Sequence, residues 1–92
     1  MVVLILEKVP VGLRGLLSRW MLEVKAGVFV GRCSAMVREQ LWLQATGRAR
    51  GWSGIIMAYS ADNEQGFAVR LFGETSRMVE DFEGIQLVRI PS

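Results

Sequence analysis

Residues Val2–Leu6 form an unbroken apolar run that Glu7, Lys8 and the Val9-Pro10 pair end at once. A strand with no polar alternation has no side suited to water. It belongs in the interior of a sheet, with neighbours on both edges and cover on both faces. The fold must therefore be built around its own N-terminal segment. The run also raises a chemical question. Glu7 is either a wet strand end, beside Lys8 or an arginine, or an oxygen donor held in a cleft for a hard cation such as Mg²⁺.

The rest of the pattern gives an α+β architecture. Pro10 favours the start of a helix. Leu13, Leu16, Leu17, Trp20, Met21 and Val24 then recur at steps of three and four, which predicts one apolar helix face with Trp20 in the core. Ala26-Gly27 stops that helix, and Val28–Val30 reads as a short strand closed by Gly31. Ser34 is a good N-cap for a second helix. On it Val37, Leu41, Trp42, Ala45 and Ala49 face inward and Arg38, Gln40, Gln44 and Arg48 face out. Glu23 and Glu39 read as charges on helix surfaces. Residues 55–59 and 67–72 are strands on either side of a turn built from Asp62, Asn63, Glu64, Gln65 and Gly66. Residues 73–84 read as a polar loop, and Ile85–Ile90 as a last strand. The sum is one domain with helices on one face of a sheet. Only one convincing strand appears between the helices, and the strand order stays open.

Composition narrows the chemistry. The 92 residues have no room for a second domain. Yet 51% of them are of the types AVILMFWYC, more than so small a domain can hide, which predicts an oligomer. There is no histidine and one cysteine, Cys33. This excludes histidine-based triads, histidine metal sites and cysteine-rich zinc sites. It leaves carboxylates with a hard metal, or no catalysis. Cys33, with no histidine to act as its base, reads as a small structural residue. The net charge is +2, and nine of the eleven cations are arginine, the better residue for phosphate forks. Arg14, Arg77, Arg38, Arg48 and Arg50 are candidates for phosphate contacts, although a solvated basic face would look the same. Trp52, beside Gly51, reads as exposed, suited to a base stack or an interface. The longest apolar run is too short to span a bilayer, which takes about 20 residues. No basic residue precedes that run, so it does not read as an export signal. A lone cysteine and no export signal point to the cytoplasm.

Several short motifs in fixed order resemble one family. They are Val9-Pro10, Leu13-Arg14-Gly15, Leu22-Glu23-Val24, Ala26-Gly27-Val28, Ser34-Ala35, Arg38-Glu39 and Trp42, then Met57-Ala58, Gly66-Phe67, Phe72-Gly73 and the segment Asp81–Val88. Together they are similar to the CRISPR-associated Cas-two proteins of type I-E systems, over roughly residues 2–90. The resemblance implies a ferredoxin-like sandwich and a homodimer with sheets face to face, in which the last strand, Ile85–Ile90, pairs with the partner's sheet. It implies a role in CRISPR adaptation. There the dimer bridges subunits of the integrase and holds the duplex DNA prespacer. Residues 73–92 are the expected integrase surface. Two site assignments come with the resemblance. Glu7 stands where many members place a metal-binding acid for Mg²⁺-dependent phosphodiester cleavage, of RNA or of duplex DNA. Arg14 and Arg77 match positions that contact the DNA backbone.

Overall fold

The computed structural model describes residues 1–50 and 53–75. The elements are β1 (Val2–Glu7), α1 (Val11–Leu17), β2 (Leu22–Lys25), β3 (Val28–Gly31), α2 (Ala35–Arg48), β4 (Gly54–Ser60) and β5 (Phe67–Gly73). All five strands are antiparallel in one sheet of order β2-β3-β1-β4-β5. Strand β1 thus lies at the centre, paired with β3 on one edge and β4 on the other. Each helix connects strands that are separated by an inserted neighbour, which is the ferredoxin-like arrangement.

The unbroken apolar run does occupy the middle of the sheet, but only one of its faces is deeply covered. Val2, Leu4 and Leu6 are buried, whereas Val3, Ile5 and Glu7 are half-buried. Residues directly opposite in antiparallel strands share a face, so registers assign both sides. On the helix side Phe29, Leu4 and Met57 lie in one row, and Leu6 lies beside Ile55. Leu13 and Leu17 of α1 and Leu41, Trp42 and Ala45 of α2 close over them. Each fully buried side chain of this size contributes about 1.5–3 kcal/mol. On the other side, one row runs Leu22, Val30, Val3, Ala58, Val69 and the next runs Val28, Ile5, Ile56, Leu71. Ile56 is buried there, but Leu22, Val69 and Leu71 are exposed.

The first helix is shorter than its leucine spacing predicts. The backbone N–H and side-chain hydroxyl of Ser18 both donate to the Arg14 carbonyl, and Arg19 and Trp20 donate to Leu16 and Leu17 in tight i→i−3 turns. Met21 stays in the core, one turn beyond Leu17. Leu22–Lys25 then leave as strand β2 and pair with β3, with an irregularity between Glu23 and Lys25. Of the three expected core positions after Leu17, Met21 holds and two fail: Trp20 and Val24 are exposed. Leu22-Glu23-Val24-Lys25 has period two as well as helical spacing, and pairing with β3 decides between them. This supplies the second strand between the helices.

Gly27 makes that hairpin possible. Its φ is +80°, and its carbonyl accepts from the Leu6 N–H at 2.7 Å. A Cβ there would stand 2.5 Å from the Leu6 carbonyl oxygen. The second helix starts at Ser34 as expected: its side chain accepts from the Val37 N–H at 3.2 Å. The β4–β5 turn is closed by Asn63, whose side-chain oxygen accepts from the Gly66 N–H at 2.7 Å and whose amide donates to the Phe67 carbonyl. Cys33 is half-buried and packs against the core. Among the described residues no helix is long and apolar enough to cross a membrane.

Candidate functional site

Glu7 ends β1 on the side of the sheet away from the helices. Its register partner is Gly54, and the partner of Gly54 is Gly73, so the row beside the Glu7 side chain carries no other side chain on β4 or β5. Lys8, immediately after it, has φ +58°, a left-handed conformation that non-glycine residues adopt at a cost. Ser53 holds this kink. Its side chain is fully buried, donates to the Lys8 carbonyl at 2.7 Å and accepts from the Arg50 N–H at 3.0 Å. Its carbonyl accepts from the Glu74 N–H at 3.0 Å. Gly73, with φ +76°, has no space for a Cβ, which would collide with that same carbonyl. The ends of β1, β4 and β5 are therefore tied together behind the Glu7 carboxylate.

Glu7 is half-buried and makes no ion pair among the described residues, where no three acidic or thiol groups cluster for a metal. Its oxygens are the right donors for Mg²⁺, which binds through one or two carboxylates plus water and phosphate oxygens.

Arg14 and Arg38 lie on different helices and have different partners. Arg14 lies in α1, exposed, with its guanidinium 3.8 Å from a Glu23 oxygen. Glu23 is no free helix charge: it lies on β2, and the same oxygen accepts from the Gly27 N–H at 2.9 Å, closing the β2–β3 hairpin. An exposed pair of this length contributes about 0–1 kcal/mol and leaves Arg14 available to a phosphate.

Arg38 does not face out as expected. Its guanidinium carbon lies 3.9 Å from the centroid of the Tyr59 ring on β4, and its Nε donates to Glu39 at 3.3 Å. The other Glu39 oxygen accepts from Arg70 of β5 at 2.6 Å, and Arg70 lies 4.6 Å from the Trp42 ring centroid. Glu39 thus bridges two stacked arginines and ties α2 to β4 and β5. The hydrogen bond from Arg70 holds its carboxyl below the usual range, desolvation opposes this, and Arg38 adds to the lowering.

Sequence reasoning missed Arg70. Its signal was present: a cation alternating with apolar residues on a strand at the edge of the described sheet marks a charge turned inward. Arg14 and Arg38 are not brought together within one chain. Arg77, Trp52 and the strand Ile85–Ile90 lie outside the described residues, as does most of the expected 73–84 loop and of the 73–92 surface.

A family model described as CRISPR-associated protein (Cas_Cas2CT1978) matches residues 1–87. The chain belongs to this family. The match covers β1 through β5 and extends beyond the described residues, so it takes in Glu7, Arg14, Arg38 and Arg77 alike. Membership in the CRISPR-associated family agrees with the short motifs in the sequence, and the observed ferredoxin-like sheet agrees with the fold they imply.

Proposed function

We propose that this CRISPR-associated protein serves spacer acquisition, in a type I-E-like system, as a homodimeric scaffold that holds duplex DNA and bridges integrase subunits. The observation that carries this reading is the open side of the sheet. Two apolar rows, from Leu22 to Val69 and from Val28 to Leu71, lie on the face that the helices leave uncovered. A second sheet packed there would bury them, and a two-fold operator makes the patch complementary to itself. Exchange of Ile85–Ile90 between protomers would add to that interface. Arg14, Arg38 and Arg77 are the residues assigned to the duplex. Their phosphate contacts would give affinity without sequence preference.

Sedimentation of the wild type and of Leu71→Asp tests the scaffold. The wild type should run as a dimer, bind duplex DNA and co-elute with a type I-E integrase. The variant, with a charge in the proposed interface, should run as a monomer and lose co-elution. A monomeric wild type, or a fully dimeric variant, would refute the assignment of this face.

A second reading rests on Glu7. Its row partners on β4 and β5 are Gly54 and Gly73, so no side chain of those strands competes with a ligand for the carboxylate. The face-to-face dimer would bring two copies of Glu7 to one interface, where they would hold Mg²⁺ for phosphodiester hydrolysis of RNA or duplex DNA. Labelled duplex and single-stranded RNA, incubated with Mg²⁺ or chelator, separate the readings. Metal-dependent cleavage that disappears in Glu7→Ala supports the nuclease. No cleavage, or equal cleavage by both proteins, leaves the scaffold.

A further inference from the structure

On the helix side of the sheet, away from the face assigned to the dimer, α1 and α2 do not close against each other along their whole length. Between them lies a groove of about 410 Å³. Its floor and walls include Leu16, Trp20, Met36 and Leu41, and its charged lining residues are Arg19 and Arg48. Trp20 and Met36 are exposed despite their size. Arg19 and Arg48 are exposed too, and among the described residues neither forms an ion pair. Among the described residues no carboxylate lines the groove.

The stripe of α2 that borders it runs from Met36 to Arg48, about 18 Å at 1.5 Å per residue. That length takes about three turns of a helix laid along it. The early break of α1 at Ser18 creates the space, because a continued α1 would have carried Trp20 into the core.

We infer that this groove is a docking site for an amphipathic helical segment of a partner protein, with an apolar stripe that meets Trp20, Met36 and Leu41 and flanking carboxylates that meet Arg19 and Arg48. Charge complementarity selects the partner: a lining with two unpaired cations and no anion repels a basic segment and attracts an acidic one. The apolar floor selects a protein over a nucleic acid. Single strands are held by aromatic platforms with a basic track, and here one aromatic ring stands among aliphatic side chains. Helix-in-groove recognition uses the i, i+3, i+4 spacing of apolar anchors that such a groove accepts. The inference goes beyond the scaffold reading and does not require DNA binding or nuclease activity.

The test uses the intact protein labelled with ¹⁵N and three probes. The first is a helical peptide of about four turns, with leucines on one stripe and glutamates flanking it. The second is the same peptide with lysine in place of every glutamate. The third is a short single-stranded oligonucleotide. The acidic peptide should shift the Trp20 indole N–H and the side-chain amides of Gln40 and Gln44, which also line the groove. It should bind at least roughly tenfold more tightly than the basic peptide, a difference of about 1.4 kcal/mol. The double variant Arg19→Glu, Arg48→Glu changes two exposed, unpaired side chains and should keep its circular dichroism while reversing the peptide preference. Equal binding of both peptides, absence of binding, shifts confined to other surfaces, or an unchanged preference in the double variant would overturn the proposal. Shifts of the same groove signals by the oligonucleotide but not by the acidic peptide would overturn it in favour of a nucleic-acid site.

Discussion

Replacing Ser53 by Ala removes a single oxygen, yet that oxygen joins two loops. It donates to the Lys8 carbonyl at 2.7 Å and accepts from the Arg50 N–H at 3.0 Å, in a side chain with no exposed surface. Alanine fits the same space, so no overpacking arises. Each backbone group left without its buried partner loses about 1–3 kcal/mol. Arg50 is exposed, so its N–H can recruit water, and the total falls at about 2–3 kcal/mol. For a domain of this size that corresponds to a fall in Tm of roughly 10–20 °C. The left-handed conformation of Lys8 loses its tether as well, so the Glu7 carboxylate loses its fixed position. Thermal unfolding by circular dichroism, at one protein concentration because an oligomer would make Tm concentration-dependent, measures the effect. A drop below about 0.5 kcal/mol would refute the reasoning, since it would mean that neither hydrogen bond is made in solution.

Gly27→Ala should destabilise the fold by more than about 2 kcal/mol, because left-handed φ and a collision with the Leu6 carbonyl add together; urea denaturation reads it, and a neutral result would mean that the hairpin rearranges freely. Glu39 ties its two arginines to a depressed carboxyl, so its contribution is complete above the unfolded-state pKa of about 4.3 and is lost as pH falls through the lower folded-state value. Arg70→Met should remove most of that acid-side dependence and also the stacking on Trp42, worth about 0.5–1 kcal/mol; stability measured from neutral to acid pH checks both. Arg14→Ala should weaken duplex binding equally for unrelated sequences and reduce the salt slope by about 0.9 for each phosphate that the side chain no longer neutralises, as read from gel shifts at several ionic strengths.

The sequence was most readable where one local cause acted alone. The Val2–Leu6 run, the Ser34 cap and the Asn63-to-Gly66 turn each carry a signal that no distant contact opposes, and each lies where its pattern placed it. Reading failed where two periods coincided. Leu22–Lys25 satisfies both a helical stripe and a strand, and only the pairing with β3, fixed by Gly27 against Leu6, decides. The second face of β1 is half-buried among the described residues. A continuous apolar run says that both sides avoid water, but not whether the cover comes from the same chain. Glu7 ends the first strand and Arg14 lies on the first helix, the elements on which the pattern placed them. The link from Arg38 through Glu39 to Arg70 joins α2 to a strand far along the chain, and no spacing rule connects those positions.

The central place of β1 has a kinetic consequence. One edge of this strand is completed by β3, close behind it in the chain, but the other waits for β4, whose register sets Tyr59 opposite Val2. During synthesis from the N-terminus, the first half of the chain can therefore form a three-stranded sheet whose most apolar strand has a bare edge. Such an edge invites pairing with other chains until β4 emerges. The β1–β4 ladder closes a long loop, so it should also be the slow step of refolding, and aggregation should compete most strongly with folding before it forms.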